Sequence, residues 1–327
     1  MIALLFACQP PATPDMGVDW GYPLDDTLRL TDVQAVGTHN SYHIEPEPLL
    51  TDEWAYTHAP LATQAGEFGV RQFELDVHYD ELADDFLVYH AVGVDQDSTC
   101  PTFTACLDEL AQWAATAPAA LPLTILVEPK DDAGGDAIGG HWQRFDEIVT
   151  GVWGSAIFSP DEIQNGADSL RDAVASDGWP TLAPLRGRAL CVILDEAAHR
   201  SEYLSERTPE DRACFTAALS LEDPEAAVFL LDDATGDAPA ISEASSAGFL
   251  VRTFADASRS AVEADDRSAF ETGLAAGAHF FSTDFPTSVA GSSYVIAIPG
   301  GTPARCNPVT APDDCTAEAL EDPRWIP

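Results

Sequence analysis

The sequence predicts an α/β fold, a single irregular TIM-type (β/α) barrel, on three observations. Eight short apolar runs alternate with stretches of helical spacing, the strand candidates are rich in Val, Ile, Leu and Phe on both faces, and no linker or internal repeat divides the 327 residues. The strand candidates are residues 33–38, 72–77, 86–89, 123–127, 189–194, 227–231, 249–253 and 280–283. Helical patterns fall at 103–115, 137–152, 169–175, 209–219 and 260–276. Thr102 and Asp136 are candidate N-caps, Thr208-Pro209-Glu210 places proline in a first turn, and Gly277 closes the last long helix. Residues 81–85 are too short for a helix, so 72–77 and 86–89 are expected to form a hairpin-like step that makes the barrel irregular. Residues 1–28 read as a truncated signal and tether, 29–290 as the barrel and 291–327 as an irregular covering tail.

Composition narrows the function classes. A hydrophobic share of 46% with 7 Trp and 15 Phe is that of a globular chain. A formal charge of −40 excludes the basic footprint that nucleic acid requires and opposes long-range attraction to anionic membranes. Only one lysine, Lys130, occurs among the 15 basic residues, and it follows a strand-end glutamate. No run supplies the roughly 20 apolar residues of a membrane span. The start, through Leu5-Phe6-Ala7-Cys8 and the tether Pro10-Pro11-Ala12-Thr13-Pro14, has the look of the end of a lipoprotein signal, although Phe6 stands where a small residue is usual. With Cys8 set aside, the other six cysteines fall into near neighbours: Cys100 with Cys106, Cys191 with Cys214, and Cys306 with Cys315. Six cysteines allow 15 pairings, so proximity expresses a preference. Export follows, as a cell-surface lipoprotein through Cys8 or as a secreted protein, and a monomer is expected.

Four strand ends carry the chemistry: Val36-Gly37-Thr38-His39-Asn40-Ser41-Tyr42-His43, Glu74-Leu75-Asp76-Val77-His78, Val88-Tyr89-His90 and Leu126-Val127-Glu128-Pro129-Lys130. In a barrel, successive strand ends converge on one face. Imidazole can accept a proton in one step and return one in the next near neutrality, and His39 and His90 each terminate an apolar run. Glu74 and Asp76 are i and i+2 on a strand and share a face, and a buried pair of like charges calls for a cation. Asn40 adds an amide oxygen and Glu128 a third carboxylate. Oxygen-only donors suit Ca²⁺ or Mg²⁺. The simpler alternative leaves the acidic pair satisfied by water or Arg71. A zinc site built on His39, His43 and His78 is disfavoured, because the first two lie on a loop and no cysteine joins them. His43, His58, His78, His141, His199 and His279 read as surface or packing residues.

These motifs, over about residues 30–132, resemble the bacterial calcium-dependent phosphoinositide-specific phospholipase C family. Beyond them the likeness thins to Phe249-Leu250-Val251-Arg252 and Phe280-Phe281-Ser282-Thr283-Asp284. The resemblance implies an irregular TIM barrel with His39 as general base and His90 as general acid. It implies Asn40, Glu74, Asp76 and Glu128 as ligands of Ca²⁺, preferred over Mg²⁺, and Lys130 and Arg252 as groups gripping phosphate or inositol hydroxyls. The implied reaction is attack by the inositol 2-hydroxyl on phosphorus, releasing diacylglycerol and a cyclic inositol phosphate, with transient contact at a membrane surface. The scarcity of basic residues points to phosphatidylinositol or another phosphodiester with a neighbouring hydroxyl, not a multiply phosphorylated headgroup. A glycerophosphodiester phosphodiesterase is disfavoured by Thr38-His39-Asn40-Ser41-Tyr42-His43, since that class is expected to show Arg-Gly after its first histidine. A catalytically silent surface barrel that binds a ligand is the reading from another class.

Overall fold

The computed structural model describes residues 21–132, 135–194, 198–205, 211–289, 292–301 and 303–321. The expectations placed on Cys8, on the tether and on Thr208-Pro209-Glu210 lie outside these residues. The strands are β1 (Val33–Thr38), β2 (Gln72–Asp80), β3 (Asp85–Val88), β4 (Leu123–Pro129), β5 (Ala189–Ile193), β6 (Phe215–Thr216), β7 (Val228–Leu230), β8 (Leu250–Phe254), β9 (Phe280–Thr283) and β10 (Ala304–Cys306). The helices are α1 (Leu61–Glu67), α2 (Phe103–Thr116), α3 (Trp142–Trp153), α4 (Pro160–Gln164), α5 (Leu170–Ser176), α6 (Ala198–Leu204), α7 (Ala238–Ser246), α8 (Arg259–Glu263), α9 (Ser268–Ala276) and α10 (Ala317–Leu320).

Eight strands run parallel in the order β6-β5-β4-β2-β1-β9-β8-β7. A bridge from Ala217 to Val228 brings the two ends together, so the barrel is nearly closed. The strands are buried on both faces, as the apolar runs predict, because side chains fill the interior and helices cover the outside. Gly37 is required where β1 meets β2: a Cβ there would lie 1.9 Å from Gln72 Oε1. The Gln72 amide oxygen accepts from Ser282 Oγ at 2.6 Å, and Ser282 Oγ accepts from Arg252 Nε at 2.8 Å, so the interior carries a polar thread.

Two strand expectations are corrected. The run at 86–89 is no barrel strand: β3 pairs antiparallel with β2, Val77 opposite Val88 and Asp80 opposite Asp85, as the hairpin-like step foresaw. The eighth barrel strand is instead β6, inside the 209–219 segment read as a helix. Residues 213–218 are buried without interruption, which suits a strand covered on both sides better than a one-sided helix. Pairing of Val192 with Phe215 and the Cys191–Cys214 disulfide fasten it to β5.

Helix ends also moved. The 260–276 pattern divides into α8 and α9 at Asp265, whose φ of 57° is left-handed. α3 begins at Trp142 rather than 137, after Gly140 at φ 88°, and Asp136 accepts a hydrogen bond from the Glu81 amide instead of capping the helix. Thr102 does cap α2, accepting from Ala105 N, and Gly277 ends α9 at φ 92°. All three neighbouring cysteine pairs are disulfides.

The tail covers the N-terminal end of the barrel, where β10 pairs antiparallel with β1. There Arg71 does not serve the acidic pair on β2: its guanidinium makes a two-pronged, fully buried ion pair with Glu321 and donates to the Ala65 and Val70 carbonyls. Removing one member of such a pair strands a buried charge. Glu321→Ala is expected to lower the unfolding free energy by about 3–5 kcal/mol in urea titrations, whereas a surface change such as Glu222→Ala should cost roughly 0.5 kcal/mol or less.

Candidate active site

The β2–β4 register assembles the acidic centre. Asp76 lies directly opposite Glu128, and Glu74 sits two residues earlier on the same face of β2. One oxygen from each of Glu74, Asp76 and Glu128 lies within 4.8 Å of the others. Asp76 is wholly buried and neither of its carboxylate oxygens has a hydrogen-bond partner among the described residues. Burial raises its carboxyl most, the Glu128 and Glu74 charges add to this, and Lys130 opposes them; the result is a group pushed up to about 8. Three carboxylates in one cluster, two of them buried, offer the oxygen donors a hard divalent cation takes, so the residues fit calcium. Asn40, buried with φ at 42°, accepts from Tyr42 Oη at 3.2 Å. Burial, followed by the Asp76 charge, lifts the Tyr42 phenol well above its ordinary value, which places the Asn40 amide beside the same pocket.

Both predicted cations meet these carboxylates. Lys130 Nζ is 3.0 Å from Asp76 Oδ2 and 3.0 Å from Glu128 Oε1, close ion pairs in which Asp76 lacks hydrogen-bond alignment. Arg252 is buried; one end binds Glu74, the other binds Asp232, Nε bonds Ser282, and the plane lies over Phe254 at 3.9 Å.

His39 follows β1 as Asp284 follows β9, and the pairing of Thr38 with Thr283 makes them neighbours on the rim. His39 Nδ1 is 2.9 Å from Asp284 Oδ1, and its Nε2 faces Glu74 Oε1 at 3.7 Å. Burial pulls the imidazole down, but the Asp284 and Glu74 charges outweigh it and raise His39 to about 9. Asp256 in turn holds Asp284, accepting from its amide, from Thr283 Oγ1 and from Tyr294 Oη.

His90 reaches the rim by a different route from the one expected. β2 overshoots the parallel sheet and β3 folds back along it, so the residues after Val88 return toward the level of Asp76. His90 Nδ1 is 2.8 Å from Asp95 Oδ2, and the edge of the ring meets Trp54 at 5.3 Å. Burial lowers His90 from its ordinary value; the Asp95 bond opposes this, and the Lys130 and His39 charges lower it further.

The zinc alternative finds no shared centre. His43 is bound to Tyr56 O and Asp95, and His78 to Tyr89 O and beside Asp132. His58, His141, His199 and His279 pack or bond elsewhere, on His39 O, Tyr79, Asp131 and Thr31 O respectively. Asp284, Asp256 and Asp95 were not picked out as site residues. Asp284 stands at a strand end, the same signal that singled out His39, whereas Asp95 lies in an irregular loop and has no such mark.

The family model described as Ca²⁺-dependent phosphoinositide phospholipase C matches residues 28–86 and 81–308. No curated protein matches the chain at a significant level. Among solved structures, the calcium-dependent phosphoinositol-specific phospholipase C of a Pseudomonas species superposes with a TM-score of 0.63 at 18% identity, over 90% of this chain and 100% of that one. The Ca²⁺-dependent phosphatidylinositol-specific phospholipase C of Streptomyces antibioticus gives 0.60 at 20% identity, over 80% and 96%. At these identities the superpositions bear on the fold, and the family match carries the rest.

Asp284→Asn removes the nearest anion from His39. Its imidazole should then titrate roughly 1–3 units lower than in the unsubstituted protein, read by NMR in calcium-free buffer, and an unchanged midpoint would remove Asp284 as the cause.

Proposed function

Because the chain belongs to the calcium-dependent phosphoinositide phospholipase C family, we propose that it cleaves phosphatidylinositol with His39 as general base, His90 as general acid and Ca²⁺ held by Asn40, Glu74, Asp76 and Glu128. The chain is a phosphoric diester hydrolase of the phosphatidylinositol phospholipase C type. One observation carries the proposed roles: the three carboxylates cluster with an imidazole 3.7 Å from Glu74, and β3 folds a second imidazole back toward the level of Asp76. When bound, calcium supplies positive charge to a phosphate oxygen and to the entering hydroxyl, and offsets the pull of Glu74 on His39.

The residues divide the remaining work. With Nδ1 engaged by Asp284, His39 offers Nε2 to take the proton of the inositol 2-hydroxyl as its oxygen bonds to phosphorus. With Nδ1 engaged by Asp95, His90 offers Nε2 to protonate the diacylglycerol oxygen as the P–O bond breaks. Hydrolysis of the cyclic phosphate then uses the same groups in exchanged roles. Lys130, 27% exposed, is the cation a phosphate or hydroxyl can reach. Arg252 has every guanidinium nitrogen engaged and serves the substrate through Glu74. Since both cations already face carboxylates, the mouth has no spare positive charge for additional headgroup phosphates, which favours phosphatidylinositol itself.

Contact with the lipid is apolar. Leu49 and Leu50 are 38% and 58% exposed on the loop before Trp54, and Val92 and Val94 are 52% and 45% exposed on the loop after His90. Trp54 meets the His90 ring and Val92 and Val94 follow His90 closely in the chain, so a monomer could dock these loops on an uncharged lipid surface despite a charge of −40. Three disulfides suit an oxidising compartment, and export as a secreted or Cys8-anchored protein follows.

Cleavage of phosphatidylinositol, followed with and without a calcium chelator, is the direct test. His39→Ala and His90→Ala should each lose roughly 10²–10⁴ in kcat, and normal turnover by either would remove its role. Asp76→Asn should raise the calcium concentration needed for half-maximal rate, and an unaltered requirement would remove it as a ligand. Leu50→Ser with Val94→Ser should weaken sedimentation with phosphatidylcholine vesicles by roughly tenfold or more while leaving hydrolysis of a water-soluble inositol cyclic phosphate unchanged.

A further inference from the structure

The hydrogen bonds around Asp95 define a third histidine that the steps above do not use. His43 is completely buried, with Nδ1 3.0 Å from the Tyr56 carbonyl oxygen and Nε2 3.0 Å from Asp95 Oδ2. Both partners are acceptors. The carbonyl has no proton to give, so Nδ1 must carry one. A neutral ring would then turn the Nε2 lone pair toward a carboxylate oxygen at hydrogen-bond distance, so a proton lies on that contact as well. The same Oδ2 accepts from His90 Nδ1 at 2.8 Å, while Asp95 Oδ1 is buried with no hydrogen-bond partner among the described residues. Among the described residues, the hydrogen bonds to this carboxylate therefore fall on one oxygen shared by two imidazoles.

We propose that His43 is a positioning residue for the reaction: buried between the Tyr56 carbonyl and Asp95, it anchors that carboxylate and, through it, holds the ring of His90 toward the mouth. This deepens the acid role given to His90 above and rests on it. Asp95 is fastened from the side away from the substrate, so the His90 tautomer with Nε2 toward the mouth is maintained through turnover. The other groups around the pair are Lys130 just after β4, His39 just after β1, the Trp54 ring beside His90, and Tyr56 with His58 beside His43.

His43→Phe removes both ring hydrogen bonds and leaves Asp95 held by His90 alone. It should lower kcat on phosphatidylinositol micelles in saturating calcium by roughly tenfold, with KM unchanged within about twofold, and His43→Gln, which keeps an N–H for Asp95, should recover most of the loss. Wild-type kcat in His43→Phe would overturn the proposal, as would a loss confined to KM or an equal loss in His43→Gln. Should His43→Phe not fold, ¹⁵N-labelled protein provides the second measurement: Asp95→Asn must perturb the ring signals of both His43 and His90, and a change confined to one ring overturns the shared anchor. Retained turnover in His90→Ala would strike the acid role itself and leave the His43–Asp95 coupling in place, so the two failures are distinguishable.

Discussion

Three carboxylates gathered at one barrel mouth are the constraint on which the rest of the site depends. Parallel pairing sets Asp76 beside Glu128, the pleat sets Glu74 on the same face, and burial denies Glu74 and Asp76 the solvation that would make their proximity cheap. The chain answers with position rather than quantity. In a protein of charge −40, its single lysine reaches two of these carboxylates and a buried arginine takes the third. That arginine is held in turn by the thread through Ser282 to Gln72, the residue for which Gly37 leaves room. A centre with so much negative charge at short range is built for a divalent ion and leaves little attraction for further anions.

The two imidazoles of the proposed site are supported differently. His39 belongs to the parallel sheet and takes its orientation from Asp284, one register step away across β1 and β9. His90 comes from a strand running the other way, brought back to the rim because β2 continues past the sheet and folds over. Its carboxylate is drawn from a loop that also presents Val92 and Val94 to solvent. The exposed valines and the aspartate holding the proposed acid thus lie within a few residues of each other.

Strand-end motifs in the sequence led to most of this site because a parallel barrel converts chain order into spatial convergence. His39, Glu74, Asp76, Glu128 and Lys130 are all found that way, and Asp284 follows the same rule. Asp95 does not: loop residues have no period, so nothing in the chain marks the aspartate that serves two histidines. His43 was read as surface or packing, which describes its burial but not its bonding. The strand total of eight was right with one wrong member, since residues 86–89 form a hairpin arm and residues 215–216 supply the missing strand. Two residues of strand inside an Ala-rich segment give local propensity too little to show, and pairing with β5 together with a disulfide decides the matter.

By itself the sequence determined the fold class, the three disulfide partners as a preference by proximity, and the acidic, histidine-bearing strand ends. These follow from local pattern and spacing, which survive in one dimension. The tertiary structure alone decided which carboxylate orients each imidazole, that Arg71 serves Glu321 at the far end, and that Arg252 is tied to Glu74 and Asp232. Those contacts join residues as many as 250 positions apart. They are set by sheet register and by the direction in which β3 turns, and neither leaves a trace in composition or periodicity.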